Sequence, residues 1–189
     1  MSLKFHSRLE DIMKKLLIAI ALMALAVSPA LADRDMTGGT CTIVAPATAN
    51  PGDTVTFEFL ICNNSPDAEW TAAVYFTFPT CMTVTGGSYD PTSSNGNALS
   101  FAFTNNANTA FFDDGDGGYG EIYGAGDCGT FYVDVQIGTE CECGPVLIHW
   151  EQIGDVYGAE PHFVEGDESF TLCETPADDA TWSAVKSLY

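Results

Sequence analysis

The chain is 189 residues long, 46% hydrophobic and 12% aromatic, enough for one domain with its own buried core. It carries 26 acidic and six basic side chains, a formal net charge of −20, with no Lys or Arg between Asp35 and Val185. Binding to phosphate backbones requires basic side chains that displace counterions, so nucleic acid and anionic membrane surfaces are disfavoured as partners.

Near the N-terminus, Met13-Lys14-Lys15 precede an apolar run from Leu16 to Val27, followed by Ser28-Pro29-Ala30-Leu31-Ala32. A basic start, an apolar stretch of about a dozen residues and small residues at its end read as a secretory signal. The run falls short of the roughly 20 residues that a membrane-spanning helix needs. We therefore expect a leader over 1–32, its n-region starting at Met13, with cleavage before Asp33 and a secreted or cell-surface protein as the result. Removing it takes away four of the six basic and two of the 26 acidic side chains, which brings the net charge to −22. So many like charges repel one another; a solubilising acidic surface and a surface that binds divalent cations both fit the excess.

Beyond the leader the hydrophobic pattern has period two. Ile43 and Val44 open it, Val55, Phe57, Phe59 and Ile61 alternate with Thr54, Thr56 and Glu58, and Val74, Phe76 and Phe78 repeat the alternation. Leu99, Phe101 and Phe103 follow, then Phe131, Val133, Val135 and Ile137, then Val146, Ile148 and Trp150, and last Phe170 with Leu172. Such alternation belongs to strands with one buried face. Turn-forming clusters divide them: Asn50-Pro51-Gly52-Asp53, Asn63-Asn64-Ser65-Pro66-Asp67, Gly86-Gly87-Ser88 and the Asp/Gly run 113–118. The helical units that a parallel sheet would need between its strands are missing from the pattern. The expected fold is all-β, a sandwich of two antiparallel sheets with about seven to nine strands, over residues 33–174.

Seven cysteines lie beyond the leader: Cys41, Cys62, Cys81, Cys128, Cys141, Cys143 and Cys173. Behind a secretory signal they imply an oxidising compartment and a disulfide framework. Cys141-Glu142-Cys143 also brings two thiols together, at one residue less than the usual zinc-site spacing. We expect three disulfides, among them Cys41–Cys62 across a first hairpin and Cys143–Cys173 across the last two strands. The odd cysteine is then free, or it pairs with another chain and allows self-association.

Asp113-Asp114-Gly115-Asp116-Gly117-Gly118-Tyr119-Gly120-Glu121 is the strongest candidate site. Calcium takes about six to eight oxygen ligands, which closely spaced carboxylates on glycine-permitted turns can supply. Asp113, Asp114, Asp116 and Glu121 are the candidate ligands, although their spacing is not that of an EF-hand; a solvated acidic hairpin fits the same residues. Calcium is the one cofactor to which the sequence points.

Signals for catalysis are weak. His149 falls on the strand face opposite Val146, Ile148 and Trp150, as a surface histidine would, and His162, after Pro161, fits a hydrogen bond that closes a loop. Nucleophile-elbow and zinc-protease motifs are absent. Asp134 and Glu151 are the kind of acid pair that a glycosidase uses, but chance supplies such pairs freely in a chain this acidic. No enzymatic activity is expected.

Pro51-Gly52-Asp53-Thr54-Val55-Thr56-Phe57, Cys62-Asn63-Asn64-Ser65-Pro66-Asp67-Ala68-Glu69-Trp70 and Phe78-Pro79 together resemble the immunoglobulin-like conserved-repeat domains of bacterial secreted and cell-surface proteins. Gly154-Asp155-Val156-Tyr157-Gly158-Ala159-Glu160-Pro161-His162 with Gly166 is similar to a further segment of such domains. The resemblance covers about 41–173 and its motifs specify turns more than chemistry. It implies an immunoglobulin-like sandwich acting as a stalk, spacer or adhesive module. Those domains sometimes carry an internal Lys–Asn isopeptide bond; with no lysine between 35 and 185, this chain has no means to form one inside the domain.

The tail over 175–189 holds Trp182, Val185, Leu188 and Tyr189 at the spacing of a short amphipathic helix, or of a sorting tag. Two roles follow for the whole. One is a structural or adhesive domain that meets an extracellular protein. The other is a carbohydrate-binding module in which Trp70, Tyr119, Tyr123 and Tyr157 stack on the sugar rings of a glycan.

Overall fold

The structure, a computed structural model, describes residues 36–65, 69–124, 126–156 and 161–173. The leader over 1–32, the tail over 175–189 and Tyr157 lie outside the described residues. Among the described residues ten strands succeed one another: β1 (Thr40–Ala45), β2 (Thr48–Ala49), β3 (Thr54–Asn63), β4 (Thr71–Thr77), β5 (Met82–Tyr89), β6 (Phe101–Asn106), β7 (Thr109–Asp114), β8 (Asp127–Ile137), β9 (Gly144–Gly154) and β10 (Phe163–Leu172). They form one sheet in the order β1-β3-β8-β5 and another in the order β2-β10-β9-β4-β7-β6. Pairing is antiparallel, apart from a short parallel contact between β10 and β2. This is the antiparallel two-sheet sandwich that the alternation predicts, of the immunoglobulin-like kind that the resemblance implies, with ten strands where about seven to nine were expected. Among the described residues no helix is long and apolar enough to cross a membrane.

The alternating residues meet between the sheets. Phe57, Phe59 and Ile61 of β3 and Phe131, Val133 and Val135 of β8 face Val74 and Phe76 of β4, Phe112 of β7, Ile148 of β9 and Phe170 and Leu172 of β10. Phe59 stacks on Phe76 at 4.1 Å between ring centroids, and Phe112 meets Phe131 at 5.0 Å. Burying one large apolar side chain contributes about 1.5–3 kcal/mol. Six phenylalanines (Phe57, Phe59, Phe76, Phe78, Phe112 and Phe131) are at most 2% exposed, so this aromatic layer dominates the packing.

Strands β2, β5 and β7 escape the sequence reading. Gly86-Gly87-Ser88, expected as a turn, runs within β5 and pairs with Asp134, Val133 and Tyr132 of β8. A bulge between Val84 and Gly86 breaks the period there. Glycine is needed for space: a Cβ on Gly87 would lie 2.4 Å from the ring of Phe103.

Three disulfides close the framework: Cys62–Cys128, Cys81–Cys141 and Cys143–Cys173. The first joins β3 to β8 at directly opposed positions, and the last ties the start of β9 to the end of β10, as expected. The expected Cys41–Cys62 bridge is not formed. Cys41 pairs with Ile61, one residue out of step with Cys62. Successive strand side chains point to opposite faces, so Cys41 and Ile61 turn inward while Cys62 turns outward. Cys41 is the free cysteine and is buried. Burial, with the charge of Glu168 acting the same way, raises its thiol pKa. Of the two fates expected for the odd cysteine, the structure shows the free thiol, and its burial places it poorly for a bond to another chain.

Candidate functional site

The acidic run begins on β7 and leaves it at Asp114. Ala110, Phe112 and Asp114 share one face of that strand; Phe111 and Asp113 share the other. The alternation divides the candidate ligands. Asp114, Asp116 and Glu121 each offer a carboxylate oxygen, and these atoms lie within 4.8 Å of one another. Asp113 sits on the outer sheet face, where its charge acts on the Tyr75 phenol, and is not brought into the group.

The loop is built around its own backbone donors. One Asp114 oxygen accepts the N–H groups of Asp116 at 3.0 Å and Gly117 at 2.9 Å, and an Asp116 oxygen accepts that of Gly118 at 3.0 Å. Gly120 has φ +109, and a Cβ there would lie 2.7 Å from the Thr71 carbonyl oxygen. This close approach lets the Glu121 N–H donate to that carbonyl at 2.8 Å. Glu121 is 5% exposed, and its Oε2 accepts the Ser100 N–H at 2.6 Å. Burial pushes its carboxyl above the ordinary value; Asp116 and Asp114 push the same way, against the Ser100 hydrogen bond. Three converging carboxylates, one buried, are a hard-cation donor set.

The described aromatic candidates, Trp70, Tyr119 and Tyr123, do not form a flat row. Trp70 and Tyr123 touch at 4.7 Å, but their rings are inclined by 59°. Tyr119 stands 76% exposed on the acidic loop. A pair that sequence reasoning passed over, Tyr75 and Phe111, stacks at 4.1 Å on the outer face of the six-stranded sheet. The alternation of Val74 and Phe76 already places Tyr75 outward.

Asp134 lies on β8 and accepts a hydrogen bond from Thr56, whereas Glu151 lies on β9. They face outward from different sheets, with the core between them, and cannot flank one glycosidic bond. His149 does face outward, as expected, between Glu151, Glu165 and Asp167. His162 meets the buried Glu69 through Nδ1 at 3.1 Å, the loop-closing contact expected for it. Asp127, absent from the sequence reading, is buried beneath the loop that joins β5 to β6. It accepts hydrogen bonds from the Ser94 hydroxyl at 3.0 Å, the Asn95 N–H at 3.0 Å and the Asn97 amide at 2.9 Å. Burial pushes its carboxyl up, but the donors, with Ser93 among them, outweigh burial and hold it below the ordinary value.

The sequence matches no protein-family model and no curated protein. Solved structures do share the fold. The N-terminal domain of a Streptococcus gordonii adhesin superposes with a TM-score of 0.50 at 10% identity, over 74% of this chain and 34% of that one. A Corynebacterium diphtheriae protein proposed to be membrane anchored gives a TM-score of 0.50 at 11% identity, over 73% of this chain and 36% of that one. AvmM, which catalyzes macrocyclization in alchivemycin A biosynthesis, gives 0.44 at 15% identity, over 77% of this chain and 97% of that one. The chain thus spans about a third of the length of the first two. For the first two, at these identities, the likeness is one of fold alone.

Proposed function

We propose that the chain is a non-catalytic domain of the cell exterior, secreted or held at the cell surface, with a structural or adhesive role towards an extracellular protein. The observation that carries this reading is the disulfide framework: three bridges fasten strands within and at the ends of both sheets. Such bonds persist in oxidising compartments and harden a small sandwich against unfolding. The test is fractionation of producing cells under non-reducing conditions, followed by capture of surface partners on immobilised protein. The oxidised protein should reside in the exterior fraction and retain a protein partner. Recovery in the cytosol with reduced cysteines would overturn the reading.

A second reading, calcium-assisted glycan binding, draws on the carboxylates of Asp114, Asp116 and Glu121 beside the exposed Tyr119 ring. Stacking on a sugar face needs an accessible ring, and Tyr119 is the best exposed of the described candidates. A glycan array probed with calcium and with chelator tests it. Calcium-dependent retention lost in Tyr119→Ala would support glycan binding, and no retention on any glycan would remove it.

A further inference from the structure

We propose a first-row transition-metal site on the outer face of the six-stranded sheet, with His149, Glu151 and Glu165 as ligands, Asp167 as the positioning residue and zinc as the reference ion.

The register of β9 and β10 creates it. Glu151 lies directly opposite Glu165 and His149 directly opposite Asp167, so four chemistry-bearing side chains form a rectangle on one face. Two carboxylates in opposed cross-strand positions destabilise a sheet unless a cation lies between them. Among the described residues there is no Lys or Arg to supply that charge. The ring of His149 stands where the cation is needed, its Nε2 3.6 Å from Glu151 Oε1 and 3.6 Å from Glu165 Oε2.

Those separations are long for charge-assisted hydrogen bonds, which cluster at about 2.7–2.9 Å. They are near the edge of a metal tetrahedron: two ligand atoms each about 2.1 Å from zinc lie about 3.4 Å apart. One donor atom from each of the three residues lies within 4.8 Å of the other two. The other ring nitrogen completes the pattern. Nδ1 lies 3.0 Å from Asp167 Oδ1, and a carboxylate that accepts the Nδ1–H leaves the Nε2 lone pair for a metal and fixes the ring's orientation. An imidazole with two carboxylates selects zinc and its neighbours over calcium, which takes oxygen ligands. This separates the site chemically from the all-oxygen loop at Asp114, Asp116 and Glu121. Three protein ligands leave one position open on the solvent face, for water or for a donor from a partner.

Zinc chloride titrated into the chelator-stripped, disulfide-bonded protein, followed by calorimetry, with cobalt(II) absorption as a second readout, tests the proposal. We expect one saturable zinc equivalent that calcium does not displace. His149→Ala should abolish it, and Glu165→Gln, which retains the strand and a similar shape, should weaken it at least tenfold. Asp167→Asn should weaken it by about 10–100-fold, the usual effect of losing an orienting carboxylate, and alter the cobalt spectrum. Asp114→Asn with Asp116→Asn should leave it intact. Each variant is checked by circular dichroism, since all four side chains lie on a solvent-facing surface. Absence of saturable zinc binding, or equal binding by folded His149→Ala and Glu165→Gln proteins, would overturn the proposal.

Discussion

Nδ1 of His162 lies 3.1 Å from Oε1 of Glu69, a carboxylate with a fully buried side chain. The contact clamps the start of β10 to the loop that enters β4, and Gly154 beneath it has no room for a Cβ, which would fall 2.0 Å from Glu69 Oε1. Removing one partner of a buried polar contact costs about 1–3 kcal/mol, because the other loses its compensation. His162→Ala should therefore destabilise the domain by about that amount, and Glu69→Gln should recover part of the loss. A double-mutant cycle in urea measures the coupling; strictly additive changes would mean that the two side chains do not act as a pair.

Asp127 sets an acid limit on stability. Its folded carboxyl titrates below the ordinary value of 3.8, so its contribution is fully present above that value and is lost as pH falls through the folded one. The melting temperature should drop as pH is lowered from about 5 towards 2, and Asp127→Ala should lose stability at neutral pH and flatten the acid limb. An unchanged limb in the variant would assign the acid sensitivity elsewhere.

Glu121 has the opposite sign. A carboxyl raised above its ordinary value of 4.5 favours folding most when protonated, and that contribution is lost as pH rises through the folded value. At neutral pH its buried charge, beside Asp114 and Asp116, opposes folding, and a cation held there would offset that cost. If calcium binds this loop, it stabilises by about 2.7 kcal/mol at a hundredfold excess over Kd. Melting with millimolar calcium should then exceed melting at matched sodium chloride, and Asp114→Asn with Asp116→Asn should remove the difference. Equal effects of the two salts would leave the loop a solvated turn.

The strands with uninterrupted alternation were legible from sequence: β3 and β8 show their inward Phe57, Phe59, Phe131 and Val133 directly. β5 was not, because the bulge and Gly86-Gly87 imitate a turn locally, and the need for glycine comes from Phe103 on another strand. β7 was hidden by the asparagines before it and the aspartates after it. Had it been read, the alternation of Phe111 and Phe112 would have separated Asp113 from Asp114. Asp127 gave no local signal, since its donors lie about thirty residues away, at Ser94 to Asn97. His149 could be assigned to an outer face, but its acidic neighbours on β10 emerge only from the register.

The Cys143–Cys173 bridge closes a separation of 30 residues and holds the start of β9 to the end of β10. Loss of a native disulfide typically costs about 2–5 kcal/mol in small secreted domains. Cys143→Ala with Cys173→Ala should fall in that range by denaturant melting, without change in far-ultraviolet circular dichroism. A change below about 0.5 kcal/mol would show that the strand ends are held by packing alone.

The disulfide-locked immunoglobulin-like sandwich is tested most directly by peptide mapping of the non-reduced protein, with alkylation before and after denaturation. The expected map contains Cys62–Cys128, Cys81–Cys141 and Cys143–Cys173, and Cys41 reacts only after unfolding because it is buried in the native protein. A bridge to Cys41, or rapid alkylation of Cys62 and Cys128 in the native protein, would contradict the register of β1 on β3 and of β3 on β8, and with it the fold described above.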